Sequence, residues 1–81
     1  MKLNKWNCKT HSYDLVNVPD EWKCSTYEYD MNKIINCPHC GDEFKVGEGY
    51  TSLEFHTKIG FGFIICEKCY EEELKRKFNN I

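Results

Sequence analysis

The chain has 81 residues, six of them cysteine, with 11 Lys and Arg against 13 Asp and Glu and a formal charge of −2. One small domain fits that length, and such a core ordinarily needs disulfides, a metal or a partner subunit beside it. The acidic balance disfavours general attraction to a phosphate backbone, and nothing approaches the roughly 18 consecutive apolar residues of a membrane span.

The start, MKLNKWNCKTHSYDL, is basic and polar without the apolar run of a signal peptide. These features point to a cytoplasmic protein in a reducing compartment, where clustered cysteines are metal ligands more often than disulfides. Ten Lys, seven Asn and six Ile suit an AT-rich genome, bacterial or viral (phage).

Residues 1–33 carry both tryptophans, Trp6 and Trp22, and the tyrosines Tyr13, Tyr27 and Tyr29, with weak periodicity. In DLVNVPDEW, Val16 and Val18 fall in step and Pro19 ends the extended piece. The region reads as an N-terminal extension of short strands and loops packed on a core at 34–81, the whole forming one domain over 1–81. From Cys37 the pattern sharpens. Gly47 and Gly49 mark a turn in FKVGEGY between two extended pieces. YTSLEFHTKI then alternates, Leu53, Phe55 and Ile59 on one face and Glu54, His56 and Lys58 on the other. Phe61, Phe63 and Ile65 return in step, which predicts an antiparallel hairpin turning near Lys58–Gly60. Gly60 and Gly62 leave part of the return strand bare, permitting close approach of another backbone.

Cys66, Tyr70, Leu74 and Phe78 lie four residues apart and predict one stripe of a C-terminal helix. Glu71–Lys75, Glu72–Arg76 and Glu73–Lys77 predict its solvated face, with acids early and bases late as the helix dipole favours.

The strongest chemical signal is a pair of pairs: Cys37 and Cys40, then 25 residues, then Cys66 and Cys69. Each Cys-x-x-Cys turn points two sulfurs to one side, and four thiolates make the closed tetrahedron of structural Zn2+. Pro38 stiffens the first turn, while Gly41 can take a positive φ and bring backbone N–H groups toward the sulfurs. His39, between two ligands, is expected to point outward. A redox reading of the same cysteines, as a thiol oxidoreductase, lacks the βαβ context such sites use. Zinc binding to a site of this kind contributes on the order of 10 kcal/mol of folding free energy.

The stretch CPHCGDEFKVGEGY…IICEKCYEEELKRKF, residues 37 to 78, resembles the treble-clef class of zinc fingers. That resemblance implies a small α+β fold: a zinc knuckle giving two ligands, a β-hairpin, and a helix whose first turn gives the other two. Zinc ribbons share the paired cysteines but end on a strand. Since the class spans DNA binders, ribosomal proteins and protein-docking modules, it implies a scaffold rather than a function.

Cys8, His11 and Cys24 remain, with CKTH a second two-residue knuckle. They are candidates for a second zinc with a fourth ligand from His56, His39 or elsewhere, or for a cross-braced arrangement with the first four; His56, on the polar face of its strand, reads otherwise as solvated. The plain alternative is two small buried thiols and a surface histidine. No catalytic set stands out. His11 is followed by Ser12 and Tyr13 instead of the His-x-Glu of zinc deaminases. A non-enzymatic adaptor, inhibitor or regulator that binds another protein fits best, with Trp6, Trp22, Tyr27 and Tyr29 as candidate partner contacts beside acidic residues. The alternative is a nucleic-acid-binding finger using Lys68, Lys75, Arg76 and Lys77.

Overall fold

The computed structural model describes residues 1–79. In chain order these form β1 (Lys2–Asn7), β2 (Ser12–Asn17), β3 (Ile34–Asn36), β4 (Glu43–Lys45), a 3-10 turn at Val46–Glu48, β5 (Tyr50–His56), β6 (Gly62–Ile65) and α1 (Glu67–Asn79). The result is a small α+β fold with one C-terminal helix. Among the described residues no helix is long and apolar enough to cross a membrane.

The main sheet has the order β2–β1–β5–β6, and every neighbouring pair is antiparallel. Residues 1–33 therefore do more than wrap the remainder, because their hairpin supplies two of the four strands. The pairing of Leu3 with Val16 explains the placement. Leu3 joins Val18, Phe55 and Phe63 in one buried cluster, with Val16, Trp22 and Cys24 packed against it. A second cluster of Cys37, Ile65 and Cys69, flanked by Phe44, Cys66 and Tyr70, fills the other end. The short β3–β4 hairpin stands apart from the main sheet.

The β5–β6 hairpin forms as expected, but its alternation breaks. Thr51 pairs with Ile64 and His56 with Gly62, so four residues of β5 face one of β6. This bulge shifts the phase of β5 and carries Ser52 and Glu54 inside with Phe55. At Gly62 the strands approach so closely that a Cβ would strike Thr51 and the Ser52 carbonyl. Ile59 and Phe61 leave the predicted apolar face, lying 80% and 63% exposed in the turn. That turn is closed by a hydrogen bond from Thr57 N–H to the Phe61 carbonyl, 2.8 Å.

Helix α1 is rotated from its predicted stripe. Cys69 and Glu73 are buried, Tyr70 and Leu74 half-buried, and Phe78 exposed. Cys69 is drawn into the second cluster, so Glu73, one turn later, must face the sheet as well. The expected Glu73–Lys77 and Glu72–Arg76 surface pairs accordingly give way to contacts with the bulge.

Candidate metal centre

The first half of the centre is built by β3 and β4, which pair from Ile34–Lys45 to Asn36–Glu43 and leave residues 37–42 as a tight loop. Cys37 N–H donates to the Asp42 carbonyl at 2.9 Å, and Gly41 N–H donates to the Cys37 carbonyl at 2.7 Å. Gly41 sits at φ 80°, and a Cβ there would collide with the Trp22 indole. The Asn36 side chain fastens the loop, donating to the Gly41 carbonyl at 3.1 Å and accepting from Lys23 N–H at 2.9 Å. The second half lies where β6 runs into α1. Cys66 precedes the helix, and its carbonyl accepts from Tyr70 N–H at 3.0 Å.

These elements bring Cys37, Cys40, Cys66 and Cys69 together, with all four Sγ atoms within 4.8 Å of one another. Cys40 Sγ and Cys66 Sγ are 3.7 Å apart, far beyond a disulfide bond, and all six cysteines are free. A tetrahedral ion with metal–sulfur bonds of about 2.3 Å would set its sulfurs about 3.8 Å apart, so the donor set fits one metal ion. Burial pushes the Cys40 thiol up to about 11, against the pull of the Asp42 N–H and with the neighbouring Cys37 adding to the rise. Cys69 is raised further, first by burial and then by the surrounding thiols. Cys66 moves the other way, because hydrogen bonds from the Cys69 N–H and the adjacent thiols outweigh its burial. A metal would turn this crowd of thiols into charge-balanced thiolates.

His39 does not point outward. Its ring turns in against Phe55, edge-on at 4.5 Å between centroids, and Nε2 lies 2.6 Å from Glu73 Oε2. Glu73 is 1% exposed. It accepts from Ser52 O–H at 2.5 Å and from Leu53 N–H at 2.6 Å. The reason lies in the bulge, which strips backbone N–H groups of strand partners that must be supplied elsewhere. Ser52 Oγ takes those of Glu54 (3.1 Å) and Phe55 (2.8 Å), while Glu73 takes that of Leu53. Burial would raise the Glu73 carboxyl, but His39, Ser52 and Leu53 together hold it below its ordinary value. Beside it, Glu54 is held by Arg76 through two bonds, Nε–Oε2 at 2.8 Å and Nη2–Oε1 at 2.9 Å. His39, Glu54 and Glu73 also form a close group of ligand-type atoms. Their oxygens already receive donors, which marks a buried charge network. One sequence signal for Glu73 existed, its spacing of four from Cys69.

The remaining candidate residues lie apart. Cys8 and His11 line a cavity of about 260 Å³ with Trp6, Glu54 and Arg76. His11 takes φ 54°, its ring edge-on to Trp6 at 6.1 Å. Cys24 packs on the Leu3 cluster, its thiol pushed up by burial and by nearby Cys37. His56 lies against Tyr13, with Nδ1 3.4 Å from the phenol oxygen. Among the described residues Cys8, His11, Cys24 and His56 do not form one group of ligand atoms. Trp6 and Trp22 are half-buried, whereas Tyr27 and Tyr29 are 67% and 81% exposed and pack edge to face at 4.7 Å. Comparison of the chain with protein-family models, with curated proteins and with solved structures returned no match.

Proposed function

We propose that this chain is a zinc-binding module of treble-clef type, one that acts without catalysis by docking on another protein in the cytoplasm as an adaptor, inhibitor or small regulator. The observation that carries the zinc reading is the meeting of the four cysteines from a β3–β4 knuckle and the start of α1, at a separation suited to a tetrahedral ion. The six free thiols accord with a reducing compartment. The metal's part would be structural, four thiolates closing the coordination shell and leaving no open position for a reacting water.

The docking surface we favour is the segment around Tyr27 and Tyr29. Two exposed rings in mutual contact, with Asp30 beside them, present apolar area with an acidic edge to a basic partner, while Glu28 between them is already paired with Lys33 at 2.8 Å. Trp22 is better explained as the cover of the knuckle, given its contact with Gly41. Nucleic-acid binding is weakened as a reading because Arg76, one of its four basic residues, is committed to Glu54.

Metal analysis of the purified protein tests the first part, with one zinc per chain expected, lost on Cys37→Ser. Affinity capture from the native cell tests the second. Capture by the wild type and its loss on Tyr27→Ala/Tyr29→Ala, with zinc content kept, support the tyrosine surface. Unchanged capture by that variant, or tight salt-sensitive binding to duplex DNA or RNA instead, sinks it.

A further inference from the structure

The two cysteine pairs arise from elements that share no strand ladder, since β3–β4 is separate from the sheet that leads into α1. In many small zinc domains the metal alone ties such halves together, and the chain is unfolded without it. Here a second tie joins them. His39 lies between Cys37 and Cys40, and Glu73 lies one helical turn after Cys69, so each half contributes one arm. The arms meet at 2.6 Å, with side-chain exposures of 11% and 0%. Glu73 is itself anchored to the β5 bulge through Ser52 and Leu53. The His39 ring bears on Phe55, a member of the Leu3 cluster, which contains none of the four site cysteines.

We propose that the His39–Glu73 contact, anchored by Ser52 and Leu53, holds the two cysteine pairs in register independently of the metal, so that zinc loads reversibly onto a chain already folded. The inference rests on the zinc-site reading above, but its decisive measurement needs no metal. His39 and Glu73 are positioning residues: neither belongs to the four-cysteine group, and each places a neighbouring pair of its members. A buried, charge-assisted hydrogen bond between two such arms is directional, which a merely apolar contact would not be. Metal exchange would then proceed without refolding.

The test uses the full reduced chain, 15N-labelled, in excess chelator, with amide hydrogen exchange read residue by residue. A dispersed spectrum with slow exchange at Cys37, Gly41 and Leu53 is expected. A collapsed spectrum that recovers only on adding zinc overturns the proposal. His39→Ala leaves Glu73 its bonds to Ser52 and Leu53. In chelator it is expected to speed exchange at Cys37 and Gly41 at least tenfold while Leu53 stays protected, and zinc should restore the loop. Glu73→Ala is expected to free all three amides. Wild-type protection of Cys37 and Gly41 in both variants overturns the tie. Cobalt(II) titration supplies the separate readout. Both variants should bind more weakly yet reach the wild-type thiolate-to-cobalt spectrum at saturation, and unchanged affinity counts against positioning. If even the wild type shows no such bands, the zinc reading fails, while the exchange result in chelator still decides whether the contact holds the loop.

Discussion

Arg76 and Glu54 meet as a fork on a carboxylate, Nε to Oε2 at 2.8 Å and Nη2 to Oε1 at 2.9 Å, joining the last turns of α1 to the bulged part of β5. Glu54 is nearly buried, while Arg76 keeps its outer edge in water. Removing the arginine leaves a carboxylate that water reaches poorly. Arg76→Ala should therefore cost about 1–3 kcal/mol, and Arg76→Lys about 1 kcal/mol through loss of the fork. Urea unfolding of the zinc-loaded protein measures both; a loss below about 0.5 kcal/mol in Arg76→Ala would mean that solvent already replaces the pair.

Gly41 carries two constraints at once, the φ of 80° and the Trp22 indole where a Cβ would lie. Gly41→Ala should destabilise by about 1–3 kcal/mol, through backbone strain and displacement of the indole. Trp22 fluorescence gives the check, best read in a Trp6→Phe background. A shift toward the emission of an exposed indole is expected, and an unshifted spectrum with wild-type stability contradicts the packing argument.

Acid should act through Glu73. Its carboxyl is held below the ordinary 4.5 despite burial, by the donors His39, Ser52 and Leu53. A group depressed in the folded state contributes stability that is fully present above the unfolded value and disappears as pH falls through the folded one. Thermal unfolding in chelator should show wild-type stability falling below about pH 4.5, with a flatter profile in Glu73→Gln. Parallel profiles would assign the acid sensitivity to other carboxylates.

Zinc loading should depend steeply on pH. Burial pushes Cys40 up to about 11 and Cys69 higher still, so protons must leave as thiolates form. The metal competes with those protons, and affinity should rise by about tenfold or more per pH unit. Competition against a chelator of known affinity, from about pH 6.5 to about pH 8, checks this, and a flat response would argue against thiol ligands. Cys8→Ser, His11→Ala and Cys24→Ser should leave one ion per chain; loss of zinc in any of them would bring that residue into the site.

The four cysteines could be read from sequence because Cys-x-x-Cys is a local geometry, and two copies with an intervening hairpin leave few ways to close. The β5–β6 hairpin was legible for the same reason, its alternation being a short-range signal. Glu54 and Glu73 were not. Both occupy positions that periodicity assigns to water; the bulge between Thr51 and His56 turns Glu54 inward, and the burial of Cys69 one helical turn earlier carries Glu73 in with it. A bulge follows from strand pairing across the sheet and has no signature in TSLEFH itself. His39 was misread as outward because the partner that draws it in lies 34 residues away. The N-terminal hairpin was seen only as loose strands, since its role depends on Leu3 and Val16 meeting Phe55.

The main sheet has two unequal margins. Along β6 the Ile64 N–H is taken by the Ser25 carbonyl at 2.8 Å. Along β2 the pairing with β1 runs without a break from Lys2–Asn17 to Asn7–Ser12. The Met1–Val18 pair exchanges both backbone bonds. By antiparallel alternation, Tyr13, Leu15 and Asn17 then turn their N–H and C=O groups away from β1, and among the described residues no backbone group answers them. No lysine or proline interrupts SYDLVN to discourage a newcomer. The sheet thus has one margin with unanswered backbone groups, beside Leu15, and one where the loop before β3 already occupies the Ile64 N–H.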